Sequence, residues 1–338
     1  MAKNLVAQVG KAGGAFELVE RDIPVPGPGE IRIKVQACGV CHSDSATKEG
    51  IFPFIAYPRV PGHEVAGVVD EIGPGVTDWK KGERVGAGWH GGHCFVCESC
   101  RRGDFITCQY EQINGVTRDG GYGQYMIARH EAVARMPESL NAAEAGPLLC
   151  AGITTFNALR NSGAGPGDLV VVQGIGGLGH LGIQYAAKFG YRTVALGRGP
   201  ENETLAKKLG AVAYIDSKSA NAAEELQKLG GAKVIMATAP SAKAMSELVG
   251  GLKPGGELLT IGVSGEPLEI SVAALIMGKR RVQGWPSGTA MDSEDTLRFS
   301  EMTGVRPMIE KYPLAKVNDA YERMMSGKAE FRVVMTMD

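Results

Sequence analysis

The chain has 338 residues, 44% of them hydrophobic, and its 36 Lys and Arg nearly balance 37 Asp and Glu, for a formal net charge of -1. That length holds two domains of ordinary size, and the near-zero charge excludes an overall field favouring nucleic acid or an anionic membrane. No apolar run approaches the ~18 residues of a spanning helix, and MAKNLVAQVG lacks a signal-peptide core, so a soluble cytoplasmic protein is expected.

Residues 5–35 alternate short apolar runs with turn signals. Pro24, Pro26 and Pro28 mark an extended connection, and Ile31, Ile33 and Val35 alternate as a half-buried strand does. QACGVCHSDSATKEG reads as a strand end running into a polar segment. HEVAGVVDEIG reads as a strand, and GPGVTDWKKGERV as a turn and a further strand. Residues 1–150 are thus predicted to form an irregular, β-rich domain.

The texture changes at Ala151. AGITTFNALRNSGA is helical in pattern, and 168–173 is a continuous apolar run of the kind buried on both faces of a parallel sheet. A helix is predicted over 177–190, a strand over 193–196 and a helix over 201–210. Further strands fall at 212–215, 233–237 and 257–261, with helical segments between them. Strands alternating with helices of this length predict right-handed βαβ units and a doubly wound parallel sheet, an α/β domain over 151–285. The rhythm is lost after Trp285, and 286–338 is expected to return to the first domain.

The seven cysteines are an odd number without a secretion signal, which argues against a disulfide framework. Cys94, Cys97, Cys100 and Cys108 fall within fifteen residues, and four thiolates on one loop saturate a tetrahedral zinc, a structural role. The ligands alone also fit an iron–sulfur cluster. A nucleic-acid zinc ribbon shares the spacing, but the loop has only Arg101 and Arg102 as a basic pair. Cys38 and Cys41 form a C-x-x-C pair. No thioredoxin-like βαβ unit follows, so Cys38 is read as a small buried hydrophobe.

VVVQGIGGLGHLGIQYA places Gly174, Gly176 and Gly179 between a strand and a helix. Gly174 allows the tight turn, Gly176 lets backbone approach a pyrophosphate, and Gly179 allows close helix–strand packing. The helix N-terminus adds free N–H groups for phosphates. The next strand ends TVALGRG, with Gly197 where an acid for the ribose 2′-OH of NAD usually stands, and Arg198 after it. Losing the carboxylate removes repulsion of a 2′-phosphate and the Arg can pair with it, so NADP(H) is expected over NAD(H), with use of either as the alternative.

CGVCHSD, PGHEVAGVV, the four-Cys loop, PLLCAGITTF and GIGGLGHLGIQYA occur in the order found in zinc-dependent medium-chain alcohol dehydrogenases. The chain resembles that family over essentially its whole length, most of all the yeast-type and bacterial tetrameric members. The resemblance implies a GroES-like catalytic domain over 1–150, completed by 286–338, and a Rossmann cofactor domain over 151–285. It implies that Cys41, His63 and Cys150 ligate a catalytic zinc and leave the fourth position open, whereas Cys94, Cys97, Cys100 and Cys108 ligate a structural zinc, two ions per chain. By the same resemblance Glu64 is the carboxylate behind the metal, Asp44 orients the zinc-bound His63 and Ser43 takes the alcohol proton. His42 lies near the cofactor pyrophosphate. Thr154, Gly177 and Leu178 join the glycines, Gly197 and Arg198 in the cofactor site, and Phe52 and Trp89 line the substrate pocket. Trp285 is placed in the interdomain region. The family relay often ends in a His five residues past the first ligand, and Ala46 stands there.

The expected reaction is hydride transfer between a primary or secondary alcohol, or the matching aldehyde or ketone, and the nicotinamide. The resemblance also implies a homo-oligomer, a tetramer before a dimer. Two other readings compete: a zinc-free quinone or enone reductase of the same fold, which predicts loss of the ligand set, and a non-enzymatic zinc-ribbon protein whose Rossmann domain senses redox state.

Overall fold

The computed structural model describes residues 3–337. The chain divides into two compact units, Met1–Ile153 with Ser287–Asp338, and Thr154–Pro286.

The first unit is built around strand Glu30–Val40. Its first half alternates, with Ile31, Ile33 and Val35 pointing into the core. It is covered along its length by three antiparallel neighbours, Val65–Ile72, Tyr125–Arg129 and Arg332–Thr336. Strand Ile309–Pro313 extends this seven-stranded sheet on one side, and Arg84–Ala87 and Val133–Arg135 on the other. Past Val35 the alternation stops, and Ala37, Cys38 and Val40 are all buried. Helix Ala142–Pro147 covers this end of the strand, and Gly146 lets it approach closely, since a Cβ there would sit 2.8 Å from the Glu64 carbonyl oxygen. The register sets Val333 opposite Val40, which brings the C-terminal tail to the strand end that carries Cys41.

The second unit is a six-stranded parallel sheet in the order Ala213–Asp216, Arg192–Gly197, Leu169–Gln173, Ala232–Ala237, Leu252–Thr260, Arg281–Gly284. The first strand in sequence, Leu169–Gln173, lies inside the sheet and is wholly buried, which is why it reads as an unbroken apolar run. Chain order reverses direction on either side of it, so the carboxyl end of Leu169–Gln173 is a topological switch point, where such sheets bind ligands.

Local structure departs from expectation in three places. The polar segment after the first long strand contains a short helix, Asp44–Glu49, closed by Gly50 at φ 73°. The helix expected over 201–210 is a 3-10 turn, Pro200–Asn202, followed by helix Glu203–Lys208. Helix Ala142–Pro147, capped by Asn141, runs through a π-helical turn, Leu148–Gly152, into helix Ile153–Arg160. That wider turn carries Cys150, and such insertions recur where a helix must redirect a functional side chain.

Candidate functional site

Asp44 is 2% exposed and accepts four hydrogen bonds. Its Oδ2 takes the Cys41 N–H at 2.9 Å and the Tyr122 hydroxyl at 2.7 Å. Its Oδ1 takes the Gly62 N–H at 3.3 Å and meets His63 Nδ1 at 3.0 Å. A carboxylate has about four acceptor sites, so Asp44 is saturated as an anion. His63 Nδ1 is therefore the donor, which leaves Nε2 as the ring atom available to a metal. That Nε2 is buried without a hydrogen-bond partner.

The orphaned nitrogen belongs to a cluster of side chains that could hold a metal ion. One ligand atom each from Cys41, His63, Glu64 and Cys150 lies within 4.8 Å of the others. Cys41 Sγ and Cys150 Sγ are 3.8 Å apart, the separation two thiolates adopt on a tetrahedral zinc with bonds of about 2.3 Å. The Cys150 thiol beside it holds Cys41 well below the usual thiol range. Two sulfurs, one imidazole and an orphaned lone pair fit zinc. Trp89, half-buried, stands edge-on to His63 with ring centroids 5.0 Å apart and planes at 87°.

Glu64 is fully buried, and its Oε1 is paired with the guanidinium of Arg332, 7% exposed, from the C-terminal strand. Glu64 Oε2 has no partner. The carboxylate overlies Gly39, where a Cβ would sit 1.8 Å from Oε2. Burial pushes the Glu64 carboxyl up to about 7 even with Arg332 holding it down. Glu64 thus has two competing positive partners available, Arg332 and any cation in the neighbouring set.

The second set, Cys94, Cys97, Cys100 and Cys108, closes within the same distance. Its Sγ pairs Cys94–Cys100 and Cys97–Cys108 are 4.0 and 3.9 Å apart. Backbone N–H groups of Cys94, Cys97 and Tyr110 point at its sulfurs at 3.3–3.4 Å. Backbone donors from Cys100 and Gln109 bring the Cys97 thiol down to about 6. Four sulfurs with inward-pointing backbone donors and no open position suit a closed tetrahedral cation.

In the second unit, Gly174 has φ 92°, and a Cβ there would meet Thr238 Oγ1 at 2.8 Å. A Cβ on Gly179 would lie 1.8 Å from the Gly174 carbonyl oxygen, whereas one on Gly176 would meet nothing within 4 Å. Gly174 and Gly179 are therefore held by packing, and Gly176 leaves open space at the helix N-terminus. A cavity of about 950 Å³ runs from this turn past Gly197, Arg198 and Ser217 to Asn221 and Lys243. Gly197 is buried and Arg198 exposed. A Cβ on Gly197 would sit 2.5 Å from the hydroxyl of Tyr214, which donates to the Gly199 carbonyl at 2.6 Å. Gly177 and Leu178 are half-buried beside the open turn.

The remaining expected residues are placed as follows. Ser43 occupies the N-cap of helix Asp44–Glu49 but makes no side-chain capping bond, so its hydroxyl is not consumed by the helix. His42 is exposed, and Thr154 is half-buried in helix Ile153–Arg160. Phe52 stacks on Phe54 with centroids 5.4 Å apart. Ala46 presents a buried methyl, 8% exposed. Arg332, Tyr122 and Tyr214 escaped sequence reasoning. Arg332 is separated from its partner by 268 positions and Tyr122 by 78, and neither sits in a recognisable spacing.

Known proteins match this arrangement along the whole chain. The alcohol dehydrogenase GroES-like domain model matches residues 27–138, and the zinc-binding dehydrogenase model residues 177–302. Alcohol dehydrogenase patD of Penicillium expansum is 46% identical over 96% of this chain and 95% of its own. An alcohol dehydrogenase of Geobacillus stearothermophilus is 36% identical over 96% of each chain. Among solved structures, a cinnamyl alcohol dehydrogenase of Sorghum bicolor superposes with a TM-score of 0.88 at 31% identity, covering 99% of this chain and 98% of that one. A cobalt- and zinc-bound thermostable alcohol dehydrogenase of Pyrobaculum aerophilum gives 0.88 at 27% identity, covering 99% and 100%. The β-rich unit is accordingly GroES-like and the parallel-sheet unit Rossmann-like, and the chain belongs to the zinc-type medium-chain alcohol dehydrogenase family of oxidoreductases.

Proposed function

We propose that the chain is a cytoplasmic, NADP(H)-preferring alcohol dehydrogenase and aldehyde or ketone reductase with two zinc sites of different kinds. The observation that carries this reading is the ligand set: His63 Nε2 orphaned beside the Asp44 bond, Cys41 and Cys150 at zinc spacing, and the fourth member of the cluster, Glu64, engaged by Arg332 through Oε1. When bound, zinc supplies a Lewis acid toward an alcohol or carbonyl oxygen, and the nicotinamide supplies the hydride acceptor or donor.

The chain's own groups supply the rest. Ser43, with its hydroxyl unspent on helix capping, accepts the alcohol proton in oxidation and returns it in reduction. Asp44 keeps the proton of His63 on Nδ1. Arg332 holds Glu64 to one side. Trp89, packed on His63, and Phe52 form an apolar wall that fits small apolar or aromatic alcohols and aldehydes and excludes water from the reacting oxygen. With Ala46 in place of a terminal imidazole, no His at that position would carry the proton on from Ser43, so it would leave directly to water or through another group. Cys94, Cys97, Cys100 and Cys108 hold the closed zinc that fixes their loop.

Two features of the cofactor cavity support NADP(H). Tyr214 fills the space that an acidic side chain at 197 needs, so no carboxylate of that strand end is available for a ribose 2′-OH. Asp216, opposite Gly197 on the neighbouring strand, already accepts the N–H groups of Gly199 and Lys218 at 2.7 and 2.9 Å. Arg198 is left as an exposed cation at the cavity rim. For assembly, strand Arg281–Gly284 ends the parallel sheet, with no further strand on that edge among the described residues, and Val272, Ile276 and Met277 on the adjoining helix are 68%, 71% and 87% exposed. A second copy of the same edge covers both at once, which supports a homo-oligomer, a dimer at least, and the resemblance to tetrameric members favours a tetramer.

The test pairs metal analysis with cofactor consumption. Purified protein is expected to hold about two zinc ions per chain and to oxidise NADPH faster than NADH against a panel of small aldehydes and ketones. About one zinc and no turnover would support the binding-protein reading, and turnover without zinc the reductase reading.

A further inference from the structure

We propose that Tyr122 is a positioning residue for the three-ligand metal centre: its hydroxyl fixes the Asp44 carboxylate, and through it the imidazole of His63. Tyr122 is 0% exposed, and its hydroxyl is 2.7 Å from Asp44 Oδ2. Of the other three donors to Asp44, Cys41 N–H and His63 Nδ1 belong to ligands themselves, and Gly62 N–H to the residue before His63. These move with the ligands they would have to hold. Tyr122 alone comes from a separate segment, the loop leading into strand Tyr125–Arg129. It is the one donor that ties the Asp44–His63 pair to a part of the sheet outside the ligand segments.

The packing makes that anchor stiff. The Tyr122 ring lies against Phe16 at 5.9 Å between centroids. It also lies over Gly62, where φ is 103° and a Cβ would sit 2.5 Å from the ring. Gly62 therefore does two things at once, donating to Asp44 and leaving room for the ring that donates beside it. Removing the Tyr122 hydroxyl leaves Asp44 Oδ2 with the Cys41 N–H only. The carboxylate is then held by three donors instead of four, all from the ligand segments, and the aim of His63 Nε2 loosens. Partners behind a metal-binding imidazole are typically worth 10–100-fold in metal affinity, and Tyr122, one bond further out, belongs at the low end of that range.

Tyr122→Phe keeps the ring and deletes only the hydroxyl. The experiment follows zinc release from the fully loaded protein into excess chelator with a metallochromic indicator. Because the inference rests on the proposed metal sites, the wild-type zinc content is measured first, and a count near one fails that reading separately. In Tyr122→Phe, release from the three-ligand site is expected to be about tenfold faster, with release from the four-cysteine site unchanged as the internal control. Cobalt substituted at the three-ligand site should show a shifted visible absorption band. Phe16→Leu, which loosens the ring but keeps the hydroxyl, should speed release from the three-ligand site by clearly less than Tyr122→Phe does and leave the four-cysteine site as in wild type. A wild-type release rate and cobalt spectrum in Tyr122→Phe would overturn the proposal. So would equal acceleration of both sites, or a Phe16→Leu effect as large as that of Tyr122→Phe, because each marks a packing role.

Discussion

Replacing Arg332 with Met isolates the buried ion pair that closes the catalytic unit. Glu64 is fully buried and Arg332 is 7% exposed, so neither charge has water to fall back on. Removing one partner of such a pair costs about 3–5 kcal/mol, because the other is left buried and uncompensated. Glu64 has two escapes: burial already raises its carboxyl to about 7, so it can take up a proton, and it can turn to the cation of the neighbouring set. That places the loss at the low end, about 3 kcal/mol. For a unit of this size each kcal/mol moves Tm by about 2–4 °C, so Arg332→Met should melt roughly 6–12 °C below wild type. The assay is a calorimetric melt of zinc-loaded wild type, Arg332→Met, Glu64→Gln and the double variant. The double variant should recover a large part of the loss, because a neutral amide beside an apolar side chain leaves no orphaned charge. An Arg332→Met protein that melts within about 1 °C of wild type would refute the argument, since a buried pair of this kind cannot be broken so cheaply.

Two further outcomes follow from the same geometry. Arg198→Ala should weaken NADPH by about tenfold, the low end for one exposed charge-assisted bond to a phosphate, and leave NADH unchanged; equal effects on both would remove Arg198 from phosphate recognition. Gly197→Asp alone should impair both cofactors instead of switching preference, because its Cβ would collide with Tyr214, whereas Gly197→Asp with Tyr214→Ala should move preference toward NADH; a switch from the single substitution would show that Tyr214 yields. On the stability side, Arg323 makes two hydrogen bonds of 2.8 Å to Glu310 and holds its carboxyl down from 4.5 to about 2. A lowered folded-state pKa stabilises above the unfolded value and is lost as pH falls through the folded one. Glu310→Gln should therefore cost about 1–2 kcal/mol at neutral pH, discounted for partial solvation, and the gap to wild type should close between pH 5 and 2. A gap that does not change with pH in a series of acid melts would assign the loss to something other than that charge.

The sequence carried the motif-borne parts of this account because they are local. Gly174, Gly176 and Gly179 sit in one turn, and the four clustered cysteines in one loop, so spacing alone reports them. The wholly buried strand Leu169–Gln173 was legible because burial on both faces leaves an unbroken apolar run. The short helix Asp44–Glu49 was not, because its residues are polar and its single turn is fixed by Asp44 bonding back to Cys41 and across to Gly62. The π-helical turn that carries Cys150 has no signature in the letters LLCAG. Least legible were the partners behind the site. Arg332 reaches Glu64 only because the last strand pairs with the strand ending in Val40, and Tyr214 reaches Gly197 only through parallel pairing of neighbouring strands. Such contacts are set by sheet register, which no local pattern encodes.

The claim that matters most is that turnover runs through Cys41, His63 and Cys150. The direct measurement is NADPH consumption with a small aldehyde by wild type and by Cys150→Ser, each checked for zinc retained at the four-cysteine site. Wild type should turn over steadily, and Cys150→Ser should lose at least about a hundredfold with the four-cysteine zinc still in place. Near wild-type turnover in Cys150→Ser would contradict the claim and point to hydride transfer that needs no metal at this site.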